Sequence, residues 1–186
     1  NFKNAFRPLL PGIRHIHHGC LANLSKISEK TAAVIIEIVA GEAGVKTAPA
    51  AYFQALRKRC DETGTLLIVD EIQSGFGRTG TFWAFQPMDI VPDILLTAKG
   101  MGGGMPIGAF IANEEVMKTL SFEPVLGHIT TFGGHPVSCA ASLATLRFIQ
   151  EEKLCDQIPA KSALFKSLLQ HPIIHEVRGI GFMLAV

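Results

Sequence analysis

Three short apolar runs, each closed by a charged residue, set the pattern of the chain. Residues 32–37 read AAVIIE, residues 66–70 read LLIVD, and residues 94–99 read ILLTAK. Runs of four to six apolar residues without alternation predict strands buried on both faces, as in a parallel sheet. Ligands of open parallel sheets sit beyond the carboxyl ends of the strands, so Glu37, Asp70 and Lys99 would all face one crevice. Between the first two runs the 3.6-residue period takes over and predicts a helix over about 49–63. Pro49 suits its first turn, Tyr52, Phe53, Leu56 and Cys60 form its apolar stripe, and Gly64 stops it. Arg57, Lys58 and Arg59 favour its C-terminal end and read as a solvated cluster. Strand, helix and strand make a β-α-β unit, whose crossover is expected to be right-handed.

The rest of the chain is punctuated more heavily. Residues 6–12 (FRPLLPG) read as a loop, and 13–18 (IRHIHH) as a half-exposed strand with His15 and His17 outward. Three clustered histidines raise a metal reading, but no carboxylate or fourth ligand lies near them in sequence. Residues 74–92 read as loop, with Gly75, Gly77 and Gly80 around Arg78. After Lys99 comes a glycine-rich turn and a strand at 107–112. Too few residues separate them for a helical crossover, so that strand is expected to run antiparallel. Asn113 can cap a short helix at 114–120. A loop at 121–135 leads to a long helix, small and apolar on one side (Cys139, Ala140, Leu143, Ala144), and a second helix runs to about Gln170. Residues 173–177 and 181–186 read as two strands of a further domain. The sequence opens on Asn1 rather than methionine and stops inside an apparent strand, so it reads as an internal piece of a larger protein.

Composition narrows the classes. Apolar residues make up 48% of the 186 and charged residues only 18%, rich enough for a buried sheet and an oligomer interface. Seventeen basic residues against sixteen acidic ones leave no global field to attract nucleic acid or an anionic membrane. The four cysteines are scattered, without a C-x-x-C pair, which points to a reducing cytosol and to no metal knuckle. No apolar run approaches the ~20 residues that span a bilayer.

The charged strand ends carry the chemistry. A lysine at the mouth of a buried strand is costly unless paired or reactive, and partial desolvation makes it a candidate Schiff-base nucleophile. An aspartate one strand away can hold a pyridinium nitrogen protonated, as pyridoxal phosphate requires. A structural Asp70–Lys99 ion pair explains the same spacing equally well. A nucleotide site fits less: Lys99 precedes the glycines instead of following them, and no G-x-G-x-x-G follows a first strand.

Three collinear motifs separate these readings. Residues 69–80 (VDEIQSGFGRTG), 96–100 (LTAKG) and 130–136 (TTFGGHP) resemble the class III (ω-amino) aminotransferases, pyridoxal-phosphate enzymes of fold type I. The resemblance covers nearly the whole chain, and residues 6–12 are most similar to the acetylornithine/ornithine branch. It implies an α/β large domain over 1–150, with a mostly parallel sheet, one antiparallel strand and helices on both faces. Residues 151–186 would be a connecting helix and the start of a truncated C-terminal small domain. It implies that Lys99 forms the Schiff base and moves the proton, that Asp70 salt-bridges the pyridinium, that Ile72 packs on the ring, and that Gln73 lies near the phenolic oxygen. Thr131 would reach the cofactor phosphate of the other subunit of a homodimer with composite sites, and Thr130 would lie near the substrate. Residues 36–44 (IEIVAGEAG) are similar to the family's E-P-x-Q-G-E-G-G, with Glu42 at the glutamate that gates the half-reactions. Ile38 stands there for proline, Ala40 for glutamine, and His135 for the common asparagine. The implied reaction moves an amino group from acetylornithine or ornithine to 2-oxoglutarate. An aminomutase, epimerase or decarboxylase would share the same lysine and aspartate, and a piece lacking the rest of the site would be inert.

Overall fold

A computed structural model describes residues 2–123, 125 and 129–186. Of the loop expected at 121–135, residues 124 and 126–128 lie outside the described residues. A short helix α1 (Phe2–Ala5) and a coil lead to a 3-10 turn at Leu21–Lys26, and then to strand β1 (Ala33–Glu37). A small hairpin, β2 (Val39–Ala40) and β3 (Lys46–Thr47), precedes helix α2 (Ala50–Thr63) and strand β4 (Leu66–Asp70). After a long loop come β5 (Ile94–Thr97), a 3-10 turn at Lys99–Gly102, β6 (Ala109–Ala112) and α3 (Glu114–Lys118). Two helices, α4 (Pro136–Glu151) and α5 (Leu154–Leu168), and a hairpin of β7 (Arg178–Ile180) and β8 (Met183–Ala185) complete the chain.

The main sheet has the order β1-β4-β5-β6. β1, β4 and β5 run parallel, and β6 returns antiparallel with Leu96 opposite Phe110. This is the α/β arrangement expected from the apolar runs and from the short link after Lys99. Helix α2 ends where Gly64 turns left-handed (φ +64°), a conformation that costs glycine nothing. Its stripe of Tyr52, Phe53, Leu56 and Cys60 is buried against Ile36, Ile38, Leu67, Val69 and Leu95. Removing a side chain such as Phe53 or Leu56 from water contributes about 1.5–3 kcal/mol, so this layer holds the sheet in place. Asn113 caps α3 as its sequence position suggests, its side chain accepting from Val116 N–H at 2.9 Å.

Five expectations change. The strands alternate in burial instead of being covered on both faces: Leu67 and Val69 are fully buried, while Ile35 on the opposite face is 63% exposed. The helix α2 covers one face, and the other is less covered among the described residues. Residues 13–18 form coil, having no partner strand among the described residues. His15 and His17 are exposed, as anticipated, while the ring of His18 packs on Tyr52 and Phe53 and bonds to Glu37 O at 3.0 Å. The Arg57–Arg59 cluster is only partly solvated. Arg57 bonds Asp93 and Asp61 at 2.7 Å each, and Arg59 donates two bonds to Ile27 O. Residues 173–177 are turn and coil, and Ile173 has little to bury against among the described residues; the strand begins at Arg178, opposite Ala185. In α4 the buried residues are Ser138 and Ile149, while Cys139, Ala140, Leu143 and Ala144 are exposed.

Candidate active site

Parallel pairing fixes the site's two central residues. Asp70 ends β4 opposite Glu37 on one side and Leu96 on the other, and Glu71 N–H donates to Leu96 O at 2.9 Å. Lys99 follows three residues after Leu96, where the chain leaves β5. The two therefore sit beyond the carboxyl ends of neighbouring strands, where open α/β sheets bind ligands. Asp70 is half-buried and accepts from Ile72 N–H at 2.9 Å, a short turn that sets the backbone of the next residues. Lys99 is exposed, and among the described residues its amine has no hydrogen bond or ion pair. The structural ion pair with Asp70 is thus not formed.

Lys99 carries a feature the sequence does not announce. Its φ is +43°, in the left-handed region that non-glycine residues seldom occupy. Such conformations cost of order 1–3 kcal/mol, and they cluster where the surroundings hold a functional residue in place. Here the surroundings are the 3-10 turn at Lys99–Gly102 and the residues packed on it. A Cβ at Gly100 would stand 3.4 Å from that of Phe76, and one at Gly103 would collide with Thr145 of α4. Phe76 also has positive φ (+56°) and joins Phe82 and Trp83 in tilted and edge-on ring contacts.

Gln73, just after β4, and Glu42, in the β2–β3 turn, come together. Gln73 Nε2 donates to Glu42 Oε1 at 3.3 Å, and Gly41 N–H donates to Glu37 Oε2 at 3.0 Å. A Cβ at Gly41 would meet Oε1 at the end of the Gln73 side chain, which would have to move aside. Ile72 is half-buried beside Asp70. Thr130 and Thr131 stand apart from these residues, exposed in the turn before α4, where Gly133 N–H reaches Thr130 O at 3.4 Å.

The residue that sequence reasoning missed is Glu71. It is fully buried, accepts from Ser74 Oγ at 2.6 Å and from Phe85 N–H at 2.9 Å, and so folds the 71–85 loop back on itself. Burial pushes its carboxyl above the usual carboxylate range, and the bonds from Ser74 and the Ala84 and Phe85 backbone only partly pull it back. Its position directly after Asp70 was the available signal: one of two adjacent carboxylates must face inward when strand alternation continues. Among the described residues no cluster of histidine, cysteine or carboxylate could hold a metal. Two clefts of about 670 and 660 Å³ lie elsewhere, beside the α4–α5 junction and beside Arg57 and Asp93.

An unpaired amine, a carboxylate on the neighbouring strand and a glycine-rich turn suit a ligand that combines an aldehyde, a ring nitrogen and a phosphate. Comparison with known proteins points the same way. The sequence model of the class-III aminotransferases matches residues 12–186. An acetylornithine aminotransferase of Methanopyrus kandleri is 47% identical over the full chain, which covers 48% of that protein. An ornithine aminotransferase of Toxoplasma gondii, whose crystals show partial occupancy of PLP at the active site, superposes with a TM-score of 0.88 at 34% identity. That superposition covers 96% of this chain and 43% of that one. An (S)-enantioselective omega-transaminase of Thermomicrobium roseum superposes with a TM-score of 0.78 at 37% identity, over 87% of this chain and 38% of that one. The chain spans about half the length of the curated Methanopyrus kandleri relative.

Proposed function

Since the chain belongs to the class-III aminotransferases, we propose that the whole protein is a pyridoxal-phosphate-dependent aminotransferase that takes the amino group of acetylornithine or ornithine and passes it to 2-oxoglutarate. One observation carries the reading. Asp70 closes β4 and Lys99 follows its parallel neighbour β5, with no bond between them, in a chain that matches this family from residue 12 to its end. The 47% identity to an acetylornithine aminotransferase supports the choice of donor.

Pyridoxal phosphate, when bound, supplies an aldehyde for the donor amine and a ring that withdraws electrons. The protein's part follows from its donor set. Lys99, exposed and unpaired, holds the cofactor and moves a proton at the carbon bearing the donor amine. Asp70 keeps the ring nitrogen protonated, and its half-buried setting makes that charge pairing stronger than it would be in water. Ile72 packs on the ring, Gln73 serves the phenolic oxygen, and Glu42, bonded to Gln73, guards the donor. Thr131 serves the phosphate from across a homodimer interface, and Thr130 stands near the substrate. Residues 1–150 belong to the cofactor-binding large domain and 151–186 begin the small domain, in keeping with the break at Lys153 (φ +49°) between α4 and α5. No described helix is long and apolar enough to cross a membrane, and a cytoplasmic enzyme is the reading we adopt.

The test is formation of glutamate from 2-oxoglutarate by the purified whole protein with pyridoxal phosphate and either donor. Glutamate with acetylornithine is the expected result. Turnover of the donor without glutamate would replace this reading with a mutase, epimerase or decarboxylase.

A further inference from the structure

The C-terminal hairpin reaches back 134 residues to the turn that carries Glu42. Arg178 Nε donates to Gly44 O at 2.7 Å, and its Nη1 pairs with Glu176 at 2.8 Å, which orients the guanidinium. A Cβ at Gly44 would stand 3.1 Å from Arg178 Nη2, so the side chain lies directly over the turn. The next residue, Gly179, has φ +121°, and a Cβ there would press on Val45 Cγ1 at 3.0 Å. The hairpin itself is well anchored. Ser162 Oγ donates to Gly181 O at 2.6 Å, Lys166 Nζ to Gly179 O at 3.1 Å, and Phe182 N–H to Arg78 O at 2.9 Å.

The turn needs such support. Gly44 and Val45 N–H groups both donate to Gly41 O at 3.1 Å, and Val45 holds φ +53°. A β-branched residue in that region is a genuine outlier, kept only where its surroundings enforce it. Among the described residues, the one side-chain bond on Glu42, from Gln73, is 3.3 Å long and exposed, too weak to fix the turn. The charged, half-buried donor from Arg178 is the stronger constraint.

We propose that Arg178 is a positioning residue: by clamping Gly44 it sets where Glu42 stands, and through Glu42 it sets affinity for the amino donor. This rests on the role of Glu42 given under the proposed function. No proton passes through Arg178, so the rate of proton transfer is left alone.

The test uses the whole protein with Arg178→Met, which keeps the aliphatic stem and removes the donors. In the cofactor-free protein, amide exchange of the segment 41–45 should speed up relative to wild type. In the loaded enzyme, KM for the donor should rise about tenfold, as befits loss of one charge-assisted bond, with kcat little changed. Arg178→Lys, with one donor restored, should recover part of both effects, and it carries the same readings if Arg178→Met does not fold. Adding Glu42→Gln to Arg178→Met should cost no more than Glu42→Gln alone. Unchanged exchange at 41–45 overturns the clamp. Additive effects with Glu42→Gln, or a fall in kcat at constant donor KM, overturn the route through Glu42. If the wild type transfers no amino group, the proposed function fails, and exchange alone decides the clamp.

Discussion

Replacing Glu71 with alanine should unfold the 71–85 loop before anything else. The side chain is fully buried and accepts from Ser74 O–H at 2.6 Å and from Phe85 N–H at 2.9 Å. The hydroxyl can rotate toward another acceptor, but the Phe85 amide cannot, and a buried donor left unpaired costs about 1–3 kcal/mol. With the volume left empty beneath the loop, the loss should come to roughly 2–5 kcal/mol, at the top of the range for single substitutions. Glu71→Gln separates geometry from charge. Its carbonyl can keep the Phe85 bond while its amide donates to Ser74 Oγ, so the cost should stay within about 1 kcal/mol. The two also differ in pH dependence. Because burial raises the Glu71 midpoint, the folded chain binds more protons than the unfolded one between the ordinary carboxylate value and that raised midpoint. Stability therefore falls as pH rises through that window, by this group's contribution, and Glu71→Gln should remove it. Urea unfolding of the purified chain, followed by fluorescence of its single tryptophan, reads the effect where it arises. Trp83 lies in the same loop, edge-on to Phe76 and Phe82. A loss below about 1 kcal/mol for Glu71→Ala, or equal losses for alanine and glutamine, would refute the assignment.

Asp70→Asn in the whole protein should keep the cofactor, seen by its absorbance, while turnover falls roughly 10²-fold or more; near-normal turnover would count decisively against the role. Thr131→Ala should weaken cofactor binding. A mixed dimer with Lys99→Ala should regain activity, because one site then carries both lesions and the other neither; two pure, exchanging mutants that restore nothing would exclude the across-interface role. Gly41→Ala should displace Gln73, whose Oε1 occupies the space a Cβ needs, and weaken cofactor or donor binding without a comparable loss of folding stability; unchanged binding would show that the crossing is not required.

The parts of the fold legible in the sequence are those fixed by local rules. Pro49 and Gly64 bracket α2 to within a residue, since one cannot sit in the helix interior and the other turns left-handed cheaply. The brevity of the link after Lys99 forced β6 to run antiparallel. The placement of Asp70 and Lys99 at neighbouring strand ends was legible because each charged residue closes an apolar run. What stayed hidden depends on partners distant in sequence or on backbone angles. Nothing near Arg178 in the chain announces Gly44, and no composition rule gives Lys99 a positive φ. Residues 173–177 have strand-like content but no neighbour to pair with among the described residues, so propensity did not prevail. The both-face burial expected of the sheet failed for a related reason: alternation reports what covers each face, and Ile35 has little over it among the described residues.

The central claim, that Lys99 and Asp70 flank one cofactor site beyond the sheet, is tested most directly by borohydride reduction of the whole protein loaded with pyridoxal phosphate, followed by peptide mapping. The account predicts a pyridoxyl label on Lys99, held stoichiometrically and lost in Lys99→Ala. A stoichiometric label on Lys46, Lys118 or any other lysine, with Lys99 unmodified, would contradict it.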